Sequence, residues 1–435
     1  MADARGVVIA APASGAGKTL VTLGLLRAFA SRGVPVASAK VGPDYIDPRF
    51  HEAASGRTAL NLDNWAMRSG LVRELATEAA QDAELLIVEG VMGLFDGAAT
   101  GEGSTADTAA MLGLPVVLVV DAQAQAQSAA ALVKGFAEFR ADCEVSAVIF
   151  NQIGSPAHAA ILEEAVAPLG ITVLGAVPSV EAIELPSRHL GLVQAEEHPE
   201  LDALLERAGD LIGEALDLDA LQSTAREIPS KIGHQERLPP LGQRIAIARD
   251  EAFAFAYPHM LNDWRQAGAE IIAFSPLADQ APEPRADAIY LPGGYPELHA
   301  GRLAANSKFL AGLRDAAEAG CLVYGECGGF MTLGVYLIDA DGKRHEMAGL
   351  LPLGTSFAER RLHLGYRRLT QKGALHWPKR LRGHEFHYSM LDWQGEADPL
   401  FEAEDSRGEN LGPIGLRRDR VMGSYAHVVD MEEAA

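Results

Sequence analysis

VVIAAPASGAGKT, residues 7 to 19, couples a short apolar, β-branched run to a loop of small residues that closes on Gly17-Lys18-Thr19. The residues after it, LVTLGLLRAFASRG (20–33), have helical character, so the stretch reads as strand, loop and helix. A loop of that make-up wraps phosphate oxygens with its backbone N–H groups, and the helix N-terminus behind it favours negative charge. Ser14, Gly15, Ala16 and Gly17 form the cradle, Lys18 can neutralise β- and γ-phosphates, and Thr19 can ligate Mg²⁺. The commoner spacing requires glycine at position 12, where this chain has Pro12, so the loop fits a variant one residue longer that opens at Ala11. An ordinary glycine-rich turn has a similar composition but no reason to carry GKT between a strand and a helix.

Outward from the loop, apolar runs recur at 34–41 (VPVASAKV), 85–90 (LLIVEG), 115–121 (PVVLVVD), 145–151 (VSAVIFN) and 172–178 (TVLGAVP), most of them separated by helical segments. Continuous apolar strands alternating with helices indicate a parallel sheet covered on both faces, a doubly wound α/β domain. Residues 1–221 are assigned to it. Polar, proline-punctuated residues 222–243 read as a linker, and the strand pattern restarts with RIAIARD (244–250), EIIAFSP (270–276), AIYLPGG (288–294) and CLVYGEC (321–327). A second α/β domain is expected over 244–435.

At 435 residues two domains are the natural expectation. A formal net charge of −22 argues against general affinity for nucleic acid or an anionic membrane, and means that an anionic substrate needs a locally basic pocket. Three cysteines form no disulfide framework, and no run approaches the length of a membrane span, so a cytoplasmic protein is expected.

Phosphate chemistry needs an acid for the metal. Glu89 ends an apolar strand and suits that role, with Asp96 a little farther on in VMGLFDG. KVGPDYIDPRFH (40–51) places Asp44 and Asp47 three apart around Tyr45, with Lys40, Arg49 and His51 nearby and prolines 43 and 48 stiffening the chain. Such a loop can hold Mg²⁺ through Asp47 or orient an acceptor; a proline turn with solvated charges is the alternative. Asn151 and Pro178, each at a strand end, are candidate edges of a base pocket.

In the second half, Cys327 falls at a strand-to-helix turn in GECGGFM, where a helix N-terminus is expected to lower a thiol pKa. Gly328 and Gly329 allow close approach to the backbone, LPGGYPELH (291–299) offers a second glycine turn, and GSYAH places His427 about 100 residues downstream as a base. Gly294 and Gly328 are the candidate oxyanion donors. Cys143 and Cys321 read as core residues.

The longer phosphate loop, VEGVMGLFDG, PDYIDPRFH and PSRHLGLV (186–193) together resemble the cobyrinic and hydrogenobyrinic acid a,c-diamide synthases, over nearly the whole chain. The resemblance implies a dethiobiotin synthetase-like first domain and a ligase that uses ATP and glutamine. In it the a and c acetate carboxylates of a corrinoid are phosphorylated, and ammonia turns each acyl phosphate into an amide. It further implies that Asp44, Tyr45 and Asp96 handle the acceptor, that Glu89 is the metal carboxylate, that Asn151 reads adenine, and that the chain forms a homodimer.

The order of glycine turn, cysteine and distant histidine is similar to the class I glutamine amidotransferases. There a glutamate follows the histidine by two residues, whereas this chain has Val429 and then Asp430. A Cys-His dyad is therefore expected, with Glu385 and His387 of GHEFHYS as candidates to approach His427. Some of Lys40, Arg49, Arg188 and His189 are expected to line the corrinoid pocket, and ammonia is expected to travel inside the protein. Cobyric acid synthase is the nearest rival reading. A partition or regulatory ATPase is the rival from another class, weakened by alanine at position 13, where such loops carry a signature lysine.

Overall fold

The computed structural model describes residues 4–179, 187–188, 191–229 and 233–433. It divides into two units, one comprising Met1–Trp65 and Ser69–Gln235, the other Ala66–Arg68 and Glu236–Ala435.

In the first unit, β1 (Arg5–Ala10), α1 (Lys18–Ser31), β2 (Val36–Val41), α2 (Asp47–Ser55), β3 (Leu60–Leu62), α3 (Ser69–Ala79) and β4 (Leu85–Glu89) alternate along the chain. They are followed by α4 (Thr105–Leu112), β5 (Val116–Asp121), α5 (Ser128–Glu138), β6 (Val145–Ile153), α6 (Pro156–Val166) and β7 (Thr172–Pro178). The strand order is β3-β2-β4-β1-β5-β6-β7, and every neighbouring pair in it is parallel. The interior of β1, β2, β4 and β5 is buried throughout, the pattern that continuous apolar runs produce when helices cover both faces. Because β4 and β5 lie on opposite sides of β1, the loop after β1 opens where the winding reverses, the usual place for a ligand crevice in such a sheet. Part of the stretch read as a linker belongs to this sheet, since Arg226–Glu227 pairs antiparallel with Arg5–Gly6.

The second unit has a six-stranded sheet ordered 270–274, 244–248, 288–291, 322–326, 421–424, 416–418, parallel except at its last pair. A five-stranded antiparallel sheet stands beside it, in which Arg380–His387 pairs with His427–Met431. The chain leaves the first sheet at Ser424 and enters the second at His427, and that crossing fixes the histidine.

Candidate active sites

Gly15 and Gly17 hold φ at +84° and +91°, in the left-handed region that favours glycine, and so let the loop after β1 turn into α1. A Cβ on Gly17 would collide with the Asn151 amide. That amide donates to Ala16 O at 3.0 Å, so Asn151 props the loop from the end of β6. Ser14 is exposed on the loop, and Pro178 is exposed at the end of β7, paired in register with Ile153.

Lys18 is buried, and its Nζ donates to Met92 O at 2.6 Å and to Ala13 O at 3.4 Å. Burial, reinforced by the Lys40 ammonium, holds its pKa below the ordinary lysine value. Thr19 Oγ1 donates to Glu89 Oε1 at 2.8 Å. Glu89, at the end of β4, is fully buried and also receives Lys40 Nζ at 2.9 Å and His51 Nε2 at 2.6 Å. Burial alone would raise this carboxyl, but Lys40 and His51 hold it well below the usual carboxylate range. Lys40 further meets Asp47 Oδ2 at 2.6 Å. Desolvation and the neighbouring Asp44 carboxylate push Asp47 up to about 6, against the pull of Lys40.

Lys40, expected among the corrinoid contacts, is only 3% exposed and serves as an internal counter-ion to two acids. Its place at the end of β2, beside β4, explains the difference: the two strands are paired in register at Lys40 and Glu89. His51 was noted in the sequence without a role, yet it belongs to this cluster through Glu89.

Asp44 accepts from the N–H groups of Ile46 and Asp47 at 2.8 and 3.0 Å, an Asx turn that starts α2, and Tyr45 beside it is half-buried. Asp96 is exposed and takes the Gly93 N–H at 3.0 Å. Arg49 pairs with Glu52 at 3.0 Å on α2. Arg188 lies on a two-residue strand facing Gly191–Leu192, and His189 lies outside the described residues.

Thr19, Asp47 and Glu89 all offer oxygen: Thr19 is bonded to Glu89, and Lys40 joins Glu89 to Asp47. Hard oxygen donors of this kind suit Mg²⁺. No group of three or more His, Cys, Asp or Glu among the described residues is placed to hold a metal by itself, so phosphate oxygens would complete such a set.

In the second unit Cys327 sits between the strand Leu322–Glu326 and the helix Gly328–Leu333 with φ +47°, ψ −104°. Positive φ at a residue with a side chain is strained, and it turns the thiol out of the strand. The Cys327 N–H donates to Ser424 O at 2.8 Å, which ties the elbow to the neighbouring strand. Glycines make the tight packing possible. A Cβ on Gly329 would strike Leu291 O, one on Gly294 would strike Ala252 O, and one on Gly328 would lie 3.1 Å from Gly294 N. The two expected oxyanion donors are thus brought together beside the thiol.

Gly293 separates thiol and base. A Cβ there would lie 3.2 Å from His427 Nε2 and 3.3 Å from Cys327 Cβ. Burial pushes the Cys327 thiol well above its ordinary value, with Glu297 adding to the effect and the Gly328 N–H opposing it. The lowering expected from the helix terminus is therefore outweighed by desolvation. Burial, and then His384, lower His427 well below the ordinary histidine value. Both shifts favour the uncharged forms.

Of the two candidates to approach His427, His387 acts on it through space and Glu385 is engaged elsewhere. Glu385 pairs with Arg367 at 2.6 Å, and His387 stacks on Tyr425 with ring centroids 3.9 Å apart. His384 is the residue that stacks on His427, at 4.9 Å and 5° between planes, because the two are cross-strand partners. Tyr257 Oη lies 2.8 Å from His384 Nε2. Asp430 is bound by Arg68, which donates from its backbone N at 3.0 Å and its Nε at 2.9 Å. Glu326, one residue before the nucleophile, brings Oε2 to 3.8 Å from His427 Nδ1. Cys143 and Cys321 are buried.

A phosphate loop backed by buried acids in one unit, and an elbow cysteine near a buried histidine in the other, fit a glutamine-dependent ligase that forms amides. Residues 7–193 match the CobQ/CobB/MinD/ParA nucleotide binding domain, and residues 244–434 match the CobB/CobQ-like glutamine amidotransferase domain. The chain is 56% identical to the hydrogenobyrinate a,c-diamide synthase of Brucella suis, over 99% of its own length and 100% of the relative's. It is 52% identical to that of Rhizobium meliloti (99% and 100% covered) and 51% identical to that of Rhodobacter capsulatus (98% of each). The chain belongs to the hydrogenobyrinate a,c-diamide synthase family. In chain order, the α/β nucleotide-binding domain comes before the amidotransferase domain, as the sequence predicts.

Proposed function

We propose that the protein converts the a and c acetate carboxylates of hydrogenobyrinic acid to amides in cobalamin biosynthesis, through acyl phosphates, with ATP, Mg²⁺ and glutamine, in the cytoplasm and as a homodimer. The observation that carries this reading is the presence in one chain of Thr19, Lys40, Asp47 and Glu89 gathered behind the phosphate loop and of Cys327 set against His427. The relatives' shared name supplies the acceptor.

Mg²⁺, held by Thr19, Asp47 and Glu89, would screen the charge of the ATP phosphates. The loop N–H groups and Lys18 orient the γ-phosphoryl group, and an acceptor carboxylate oxygen attacks it as ADP leaves. Asp44, Tyr45 and Asp96 position that acceptor, while Arg49, Arg188 and His189 offer it positive charge. Asn151 and Pro178 border the base. Ammonia then attacks the acyl carbon, and phosphate departs with one oxygen of the original carboxylate.

For the ammonia, His427 Nε2 takes the Cys327 proton as sulfur attacks the glutamine amide carbon. The Gly294 and Gly328 N–H groups receive the charge on oxygen, and the imidazolium returns its proton to the departing amine. Water hydrolyses the thioester to glutamate.

The test uses purified protein with oxygen-18 in the acceptor carboxylates. Label is expected in inorganic phosphate, with one ADP and one glutamate formed per amide. In Cys327→Ser, glutamine-dependent synthesis should vanish while ammonium salts still support it. Unlabelled phosphate would refute the acyl phosphate, and loss of both activities in the variant would refute the separation of the two sites.

A further inference from the structure

The relatives of the amidotransferase domain with a full triad take their third member from the residues just after the histidine, and here those residues are committed elsewhere. Val429 is apolar, and Asp430 is taken up by Arg68. We propose that Glu326, on the nucleophile's own strand, is the positioning residue behind His427. The proposal rests on the reading of Cys327 and His427 as the thiol pair.

Its support is geometric. The Glu326 and His427 side chains are 2% and 1% exposed, with Oε2 3.8 Å from Nδ1. Oε1 accepts the N–H of Val428, the histidine's chain neighbour, at 3.1 Å, so the carboxylate fixes the backbone that carries the ring. Tyr290 Oη donates to Oε2 at 2.7 Å and Tyr324 Oη to Oε1 at 2.9 Å. A side chain held at three points keeps its orientation when the ring charges. Closing 3.8 Å to hydrogen-bond length takes about 1 Å in all, which a turn of the ring within its stack on His384 can share with the carboxylate.

The other titratable and charged groups near the pair are accounted for. His384 covers one face of the ring and is joined to Tyr257, and His387 packs on Tyr425. Glu385 answers Arg367, and Glu297 acts on the Cys327 thiol from the glycine turn. Of these groups Glu326 approaches Nδ1, at 3.8 Å. The carboxylate favours the tautomer with hydrogen on Nδ1, which leaves the Nε2 lone pair on the Gly293 side for the thiol proton. When the Sγ–H bond breaks and the Nε2–H bond forms, the positive charge on the ring is met by Glu326 across Nδ1–H.

The test is Glu326→Gln, which keeps the shape and the acceptor for Val428 N–H but removes the charge. Cys327 alkylation by iodoacetamide is followed against pH, with Cys327→Ser as the background for the two buried cysteines. The alkylation profile is expected to move to higher pH by about one unit. The glutaminase kcat should fall about 100-fold with the glutamine KM within threefold, and ammonium-dependent synthesis should persist. Tyr290→Phe removes one of the hydrogen bonds that hold the Glu326 carboxyl down against its burial, so its profile should also move to higher pH; it decides the matter if the first variant fails to fold. A wild-type profile and kcat in Glu326→Gln, or an unmoved profile in Tyr290→Phe, overturns the proposal. Glutaminase surviving in Cys327→Ser would instead overturn the reading beneath it.

Discussion

Replacing Gly293 with alanine should stop ammonia production without touching any group that performs chemistry. The new methyl group would sit 3.2 Å from His427 Nε2 and 3.3 Å from Cys327 Cβ, and closer still to His427 Cε1. Carbon contacts are comfortable only beyond about 3.5 Å, so the ring or the elbow must yield by about 1 Å. Neither yields easily. His427 is stacked on His384 and its neighbour Val428 is bonded to Glu326, while Cys327 N is bonded to Ser424 O and the Gly293 carbonyl accepts from Phe255 N at 3.0 Å. A misplacement of that size costs about 100-fold in rate, or about 2.7 kcal/mol of barrier. The assay is glutamate release at saturating glutamine beside amide formation with ammonium chloride. Glutamine-dependent turnover should drop about 100-fold while the ammonium-dependent rate stays near wild type; overpacking costs about 1–3 kcal/mol, so the melting temperature should fall by a few degrees. Glutaminase within threefold of wild type would show that thiol and imidazole do not meet across Gly293, and the assignment of base to His427 would fall with it.

Two further outcomes follow from buried charges. Arg68→Ala leaves Asp430, 1% exposed, without its cation, and one-sided removal of a buried pair costs about 3–5 kcal/mol. Burial already raises the Asp430 pKa against the pull of Arg68, and an acid raised in the folded state costs stability above its unfolded value and regains it as pH falls through the folded one. The deficit of Arg68→Ala relative to wild type should thus shrink as pH falls toward the ordinary carboxylate range in thermal denaturation; a deficit independent of pH would refute the sign. Lys40→Met removes the ammonium shared by Asp47 and Glu89, and should lower the first unit's melting temperature by about 10 °C. Added Mg²⁺ should restore part of it, since the same oxygens would then share a divalent cation, and no response to Mg²⁺ would remove Asp47 and Glu89 from the metal set.

The sequence carried those features that a contiguous stretch determines. Strand, loop and helix around Lys18 are local, and so is the elbow at Cys327, because each depends on neighbours along the chain. β3 escaped notice because three residues carry no periodicity. The errors concern residues brought together by pairing. Among the residues of GHEFHYS, which one meets His427 depends on the register of two strands about 40 residues apart, and a bulge between Arg382 and Gly383 sets it at His384. Glu326 stood next to Cys327 in plain view, but nothing along the chain tells that its carboxylate would point at a histidine a hundred residues away. The partners of Lys40 are hidden for a related reason: a basic residue in a distinctive motif reads as a substrate contact, and only the pairing of its strand with the one ending in Glu89 shows the carboxylates it holds.

The phosphate site, as arranged here, spends its own binding groups on itself. Lys18 donates to Met92 O, Thr19 to Glu89, and Lys40 bridges Asp47 and Glu89. A nucleotide must therefore compete with good internal bonds. Met92 holds a strained φ of +49° in the loop that leads to Asp96, and its carbonyl is what Lys18 grips. A γ-phosphate that draws Lys18 away also removes one restraint on that loop. Such exchange lowers affinity for ATP, because each internal bond lost must be offset by the ligand. In return, buried Lys18 and Glu89 remain satisfied at every stage, which their burial demands, since an unpaired charge at either position would cost more than the bond it gives up. The same economy governs the thiol site, where burial pushes Cys327 up and His427 down, toward the uncharged forms that cost least to bury.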